Sequence, residues 1–482
     1  MCINKVCMTS PLEFIVGGDL RKSDETQDVI YPYTNRPYRA VFLADEKDAE
    51  DALECSAQGF LRTKKLSGYQ KKEILDKLAG LIEQNQKEFV EILIKEGGKV
   101  RDLATAEVSR AVETLKISAE ESVRLGGSLI PLDRTKAGEG HIGITRRFPV
   151  GPVLAITPFN YPLNLACHKI GPAIAAGNSF ILKPASKTPI SALLFGKLII
   201  EAGYPKDAVN VIPCKTSIAE KMVSDERIRF LSFTGSPDVG WYLKSIAPKK
   251  KVALELGGNA AVIVHNDADI EIASRKIAVG ALANAGQVCI SVQRIFVQND
   301  IYKKFIDALK SSMERIEFGD PEESGVILGP MISEDAASFA YEKVDESVFM
   351  GANITMGGSI SGARFPPTIL EKTTPEMSVN STEIFAPVVS VRGYDEFEEA
   401  LKYANESKYG LQTGIFTRDI GRVIKAFENA ETGGVIINEI PSFRVDCMPY
   451  GGIKMSGTGR EGPRYAIMEM TEEKLLVLNN LQ

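Results

Sequence analysis

From Val153 to Leu256 the chain repeats one unit, a short apolar run followed by a helix-length segment. The runs fall at 153–156, 179–182, 209–212, 230–233 and 252–256. They are too short for helices, and the segments between them are too long for hairpin turns. A mostly parallel sheet with crossover helices is the arrangement that buries such runs. The helix expected near 189–202 carries its own punctuation, with Thr188-Pro189 at its start and Gly203 past its end. A second alternating block runs from Val262 to about Ile437. Strands are expected there at 262–264, 294–298, 388–391, 411–416 and 434–437, and helices near 270–284, 301–316 and 396–405. The predicted fold class is α/β, in two lobes.

Outside these blocks the chain starts extended around Phe14–Gly18, and residues 46–123 read as helical. Ile74, Leu75, Leu78, Leu81 and Ile82 recur at three- and four-residue spacing and mark one apolar face, and Gly97-Gly98 supplies a stop. Leu129–Pro131 and Ile142–Arg147 read as a β-hairpin arm, and Lys474–Leu478 as a last strand. At 482 residues the chain exceeds the roughly 250–300 residues that one core accommodates. Its net charge of −6 offers nucleic acid and anionic membrane no attraction, so neither is expected as a partner. No apolar run reaches the ~18 residues of a membrane span, and Met1–Pro11 lacks the basic and apolar regions of a signal peptide. The seven cysteines, at 2, 7, 55, 167, 214, 289 and 447, are scattered and fit free thiols, so a cytoplasmic location is expected. His141, His168 and His265 are too dispersed to suggest a metal site.

Four segments carry residue types that do chemistry. Phe233-Thr234-Gly235-Ser236-Pro237-Asp238-Val239-Gly240 is a strand end, a Gly-Ser turn and a helix start, a geometry that aims N–H groups at a phosphate. It is neither a P-loop nor GxGxxG, so a plain strand–helix turn is an equal reading. In Leu254-Glu255-Leu256-Gly257-Gly258-Asn259 an acid ends an apolar strand. Local sequence slightly favours an exposed carboxylate over a buried general base with a raised pKa. Asn284-Ala285-Gly286-Gln287-Val288-Cys289-Ile290 presents either a small buried thiol or an accessible nucleophile. Asn160, in Thr157-Pro158-Phe159-Asn160-Tyr161-Pro162, serves either a turn or a developing oxyanion. Taken singly, each segment leaves both readings open.

Three more segments complete a pattern: Lys183-Pro184-Ala185-Ser186, Glu383-Ile384-Phe385-Ala386-Pro387 and Pro449-Tyr450-Gly451-Gly452-Ile453-Lys454-Met455-Ser456-Gly457. In order and spacing, from about Phe14 to Leu478, the whole set resembles the NAD(P)-dependent aldehyde dehydrogenase superfamily. The resemblance implies a Rossmann-like cofactor domain, an α/β catalytic domain and a small β oligomerisation arm. It implies Cys289 as the nucleophile that forms a thiohemiacetal and then, after hydride transfer, a thioester. Asn160 and the Cys289 N–H would hold the oxyanion, and Glu255 would activate the water that hydrolyses the thioester. Glu255 also argues against a coenzyme A-acylating relative. For the cofactor, the resemblance implies Gly235 and Ser236 at the pyrophosphate, Glu383 at the nicotinamide ribose, Phe385 at the nicotinamide and Lys183 at the adenine ribose. Ser186 stands where many NAD-preferring members carry Glu, so a 2′-phosphate would not be repelled and NADP is expected to be accepted, with NAD use open.

The subfamilies most resembled are the lactaldehyde, phosphonoacetaldehyde and non-phosphorylating glyceraldehyde-3-phosphate dehydrogenases. Arg110, His168 and Arg444 fall at positions resembling the anion-binding set of the phosphonoacetaldehyde enzymes. From local sequence alone, Arg110 reads equally as an ion-paired helix residue and His168 as a core histidine. Where those enzymes place Arg before the nucleophile, this chain has Val288, which removes a bidentate phosphate partner. The expected substrate is therefore a small polar or anionic aldehyde, lactaldehyde-like or a sulfonated or phosphonated short aldehyde, with phosphorylated glyceraldehyde as the alternative. The expected domains are 1–126 with 149–255 for the dinucleotide and 256–460 for catalysis. Segments 127–148 and 461–482 would pair with a neighbouring subunit in a homodimer or homotetramer. Two rival classes are a cysteine hydrolase, using His168 or His265, and a catalytically silent relative.

Overall fold

A computed structural model describes residues 10–247 and 249–479; Cys2, Cys7 and the ends of both terminal segments lie outside the described residues. Its first sheet has eight strands in the order Asp19–Arg21, Phe14–Val16, Val209–Val211, Phe180–Lys183, Val153–Ile156, Phe230–Gly235, Lys251–Leu256 and Gly457–Thr458. The five central strands are the five apolar runs of the sequence, and they pair in parallel. Strand order reverses at Val153–Ile156, which has Phe180–Lys183 on one side and Phe230–Gly235 on the other. In such a sheet the crevice beyond the carboxyl ends at the reversal is the natural ligand site.

Helices Glu46–Thr63, Gly68–Gln84, Gln86–Gly97 and Arg101–Arg124 cover this sheet together with Pro162–Ala176 and Ile190–Ala202. Leu75, Leu78, Leu81 and Ile82 are buried as the periodicity predicts, while Ile74 is half-buried. Gly98, left-handed at φ 65°, ends Gln86–Gly97 as a C-cap should.

The second sheet has the order Asn353–Met356, Thr368–Glu371, Val388–Tyr394, Val292–Gln298, Ala260–Val264, Gln412–Phe416 and Gly434–Ile437, and encloses a separate core. The sequence marks five of these strands. It does not mark Asn353–Met356 or Thr368–Glu371, nor the helices Glu334–Phe349 and Ile420–Asn429. Helix Ile420–Asn429 turns Ile420, Ile424 and Phe427 outward, so its apolar spacing does not report a core face. The hairpin Thr26–Tyr31 with Arg36–Phe42 was likewise unmarked, because few of its residues are buried.

The arm is a third sheet. His141–Pro149 pairs with Leu129–Pro131 on one edge and, along its whole length, with Thr471–Asn479 on the other. Arm and C-terminal strand thus pair with each other within one chain. Residues 463–469, expected in the arm segment, form a helix on the first lobe, where Ile467 and Met470 join the core. Gly457–Thr458, expected in the catalytic segment, edges the first sheet.

Candidate active site

A cavity of about 660 Å³ opens at the strand-order reversal and runs between the two lobes. Asn160, Glu255 and Cys289 line it, as do Lys183, Gly235, Ser236, Glu383 and Phe385. Three parallel strands deliver Asn160, Ser236 and Glu255 of this set. Val153–Ile156 leads into the Asn160 loop, Phe230–Gly235 into Ser236, and Lys251–Leu256 ends on Glu255. A smaller cavity of about 200 Å³ beside Arg294 holds none of these residues. Arg294 spends its donors there on the carbonyls of Asn259, Tyr403 and Ala404.

Cys289 sits on a tight loop forced by three consecutive left-handed residues, Asn284, Ala285 and Gly286. A Cβ on Gly286 would lie 2.2 Å from the Ala386 backbone, so only glycine fits. The two glycines after Glu255 have similar reasons. A Cβ on Gly257 would meet Glu383 Oε2 at 2.1 Å, and one on Gly258 would meet the Cys289 carbonyl at 2.2 Å. Gly257-Gly258 therefore lets two other motif segments approach the strand end. The Gly258 N–H donates to Glu383 Oε1 at 3.0 Å. Cys289 Sγ lies 2.9 Å from the Tyr450 hydroxyl. Burial pushes its thiol up to about 12, against the bond from Tyr450 and the nearby Arg444.

Asn160 uses one Nδ2 hydrogen on the Gln287 carbonyl at 3.0 Å, which ties it to the cysteine loop and leaves the other hydrogen for a ligand. Its loop is fixed by the following helix, Pro162–Ala176. Buried Glu107 accepts from the N–H groups of Leu163 and Asn164 at that helix start and pairs with Lys99. Lys99 in turn sits 3.7 Å over the Tyr161 ring.

Glu255 is 4 % exposed, and neither carboxylate oxygen has a hydrogen-bond partner among the described residues. Burial first, and the charge of Glu461 second, hold its pKa well above the ordinary carboxylate value. Glu461 behaves oppositely. Despite burial, Lys169 at 3.1 Å and Arg444 at 3.0 Å hold it down to about 2. The two buried carboxylates thus differ, Glu461 held ionised by its partners and Glu255 raised by burial, which makes it the stronger base once it is ionised.

At the other end, helix Pro237–Ser245 points its N-terminus at the cavity, and Thr157 Oγ1 and Thr234 Oγ1 are buried there without partners among the described residues. Unsatisfied hydroxyls beside a helix N-terminus and a lysine suit a phosphate-bearing dinucleotide. Phe385, left-handed at φ 55°, packs edge-on against Phe159 at 5.8 Å, and both rings line the cavity. Ser186 is exposed outside the lining, and its carbonyl accepts from Gln27 at 2.7 Å.

A family model described as "Aldehyde dehydrogenase family" matches residues 20–476. The chain belongs to the aldehyde dehydrogenase family. It is 44% identical over 465 residues to the 3-sulfolactaldehyde dehydrogenase of Priestia aryabhattai, covering 96% of this chain and 97% of that one. Aldehyde dehydrogenase 21 from Physcomitrella patens, solved with the reaction product succinate, superposes with a TM-score of 0.96 at 39% identity, covering 98% and 99% of the two chains. A glyceraldehyde-3-phosphate dehydrogenase from Methanocaldococcus jannaschii, complexed with NADP, gives 0.91 at 36% identity, covering 95% and 100%.

In this aldehyde dehydrogenase the three expected anion-site residues separate. Arg110 and Arg444 line the cavity; His168 does not. His168 is buried behind Asp446, bonded Nε2 to Oδ1 at 2.8 Å, and burial together with Arg444 lowers its pKa. Of the two readings its sequence leaves open, an anion-site residue or a core histidine, the structure shows a buried histidine bonded to Asp446 and outside the cavity lining. Asp446 ties its loop to two helices: besides His168 it accepts two bonds from Arg110, at 3.0 and 2.7 Å, and one from Asn164 at 3.2 Å. Sequence reasoning assigned no role to Asp446, Glu461, Lys169 or Tyr450. Only their nearness to Arg444, His168 or the Pro449–Gly457 motif could have raised them, because pairings across 278 to 336 residues leave no local signal. No group of three or more His, Cys, Asp or Glu among the described residues is arranged to hold a metal, and no described helix is long and apolar enough to cross a membrane.

Proposed function

We propose that the chain oxidises a small aldehyde with an anionic or polar tail to its carboxylic acid, using NADP or NAD. The observation that carries this reading is one cavity lined by Cys289, Asn160 and Glu255 together with Arg110 and Arg444. Cys289, its proton released to water in the cavity, attacks the carbonyl carbon as the thiolate, and the C=O π pair moves onto oxygen, where the free Asn160 Nδ2 hydrogen and the Cys289 N–H receive it. As the oxyanion pair re-forms the C=O bond, the C–H bond breaks and a thioester remains on Cys289; a bound nicotinamide would supply the acceptor for that hydride. Glu255 takes a proton from water as its oxygen bonds the thioester carbon; the C–S bond then breaks and the electron pair returns to sulfur. Lys183, Ser236 with the helix behind it, Glu383 and Phe385 hold the dinucleotide along the rest of the cavity.

A sulfonate or carboxylate tail fits the substrate end better than a phosphate. Arg110 is already bidentate to Asp446 and Arg444 is bonded to Glu461, while Val288 adds no charge. Arg444 Nε remains buried without a partner among the described residues, leaving a donor for a singly charged tail. The similarity to a 3-sulfolactaldehyde dehydrogenase supports the same class. Arg444→Ala is expected to raise KM for 3-sulfolactaldehyde about 10- to 100-fold while changing that for uncharged lactaldehyde much less. Equal changes for both aldehydes would remove the anion-site reading.

For the cofactor, no carboxylate stands at position 186, and Lys183 lines the cavity with its pKa lowered by burial. Turnover with NADP is expected, with NAD use open. A strong exclusion of NADP in initial-rate assays would refute it. The cysteine-hydrolase reading loses its partners: His168 is bonded to Asp446 and His265 to Tyr394, and neither lines the cavity of Cys289.

The same proposal assigns the first lobe to the dinucleotide and the second to catalysis. It pairs the arm and C-terminal strand with a second copy, giving a homodimer or homotetramer. Leu475, Leu476, Val477 and Leu478, all about half exposed on an edge strand, support that pairing. A cytoplasmic setting is supported by the unpaired thiols of Cys55, Cys167, Cys214, Cys289 and Cys447.

A further inference from the structure

We propose that Tyr450 is a further catalytic residue, whose hydroxyl, 2.9 Å from the Cys289 sulfur, donates a hydrogen bond to the thiolate. The inference rests on Cys289 being the nucleophile. Tyr450 is 3 % exposed, and its ring packs with Ile290 and Leu411. A phenylalanine would fill that apolar space equally well, so the buried hydroxyl needs a partner to offset its desolvation. Among the described residues, that partner is the sulfur.

The hydroxyl is held in place from two sides. Tyr450 and Glu461 exchange backbone bonds, the N–H of Tyr450 reaching the Glu461 carbonyl at 3.1 Å and the N–H of Glu461 returning at 2.6 Å. The Arg444 guanidinium covers the ring at 3.8 Å and makes the phenol a stronger donor. The other titratable groups facing the sulfur are Glu383, Glu255, Arg444 and Tyr161. Both glutamates are pushed toward neutrality by burial. Burial also pushes the thiol upward, and the bond from Tyr450 opposes it. A thiolate in this apolar pocket would otherwise lack a directed donor.

Tyr450 keeps its proton throughout. As the S–C bond forms, the charge passes from sulfur to the carbonyl oxygen and the bond to sulfur weakens. When the C–S bond breaks in deacylation, the pair returns to sulfur and the hydrogen bond strengthens, which helps the thiolate leave. Loss of a charge-assisted bond corresponds to about 10- to 100-fold less thiolate below the thiol pKa. The remaining thiolate is intrinsically more nucleophilic, which recovers about half of that on a logarithmic scale. Acylation in Tyr450→Phe is therefore expected to slow by about 3- to 10-fold.

The test is the pH profile of iodoacetamide alkylation at Cys289 in the full-length protein, read by mass spectrometry of the Cys289 peptide. Tyr450→Phe is expected to move the inflection to higher pH, and 3-fluorotyrosine at position 450, a stronger donor of nearly the same shape, to lower pH. A profile for Tyr450→Phe that coincides with wild type or moves down would overturn the proposal. If that variant does not fold, an unmoved profile for the fluorotyrosine protein does the same. Cys289→Ser separates the two layers. If it oxidises aldehyde at full rate, the underlying nucleophile reading falls. If it is inactive while the alkylation profiles stay unmoved, only the role of Tyr450 falls.

Discussion

Cys289→Ser is expected to lower kcat/KM for aldehyde oxidation by at least about a thousandfold while leaving cofactor binding intact. The size of the effect follows from the site. A serine hydroxyl needs an adjacent base to become a nucleophile, and no histidine lines this cavity. Glu255 has no hydrogen-bond contact with position 289 among the described residues. Even an ester formed there would be a poorer acyl donor than a thioester, so the second half-reaction would slow as well. Cofactor binding should survive because Lys183, Ser236 and Glu383 belong to other segments. Stopped-flow absorbance of reduced cofactor checks the first part, and quenching of protein fluorescence by NADP the second. A serine variant retaining a tenth of wild-type turnover would remove Cys289 from the mechanism.

That residue was legible because its motif is contiguous. The loop needs Gly286 where only glycine fits, and such constraints leave their mark in adjacent letters. The parallel strands were legible for a similar reason: strands buried on both faces read as continuous apolar runs, and all five in the first lobe were found. What stayed hidden depends on pairing across the chain. The sequence reads His168 either as an anion-site residue or as a core histidine, and what decides its surroundings is Asp446, 278 residues away. Glu461 and Lys169 set the charge around Glu255 from a distant segment and a facing helix, and neither periodicity nor composition reports that meeting. The strands Asn353–Met356 and Thr368–Glu371 escaped because one is partly exposed at a sheet edge and the other carries only two apolar residues, Ile369 and Leu370.

Glu255→Gln is expected to separate the two half-reactions. The variant keeps Cys289, Asn160 and the cofactor cavity, so one equivalent of reduced cofactor should still appear in a rapid burst. The steady rate that follows should fall about 10²- to 10⁴-fold, because no general base remains to activate water. In the wild-type enzyme the base acts only when ionised, and its pKa is raised by burial and by Glu461. Wherever deacylation limits turnover, the rate should therefore climb with pH well beyond the ordinary carboxylate range, and the variant should lose that limb. Stability runs the other way. With the folded pKa above the unfolded one, the native state binds more protons between the two values, so this group's favourable contribution is complete below the unfolded pKa and declines as pH rises. Glutamine does not titrate. The melting temperature of Glu255→Gln minus that of wild type should thus grow from pH 5 to pH 8. A difference that stays flat across that range would mean that Glu255 is ionised and paired in the folded enzyme. It would then be a structural carboxylate, not a base held in reserve.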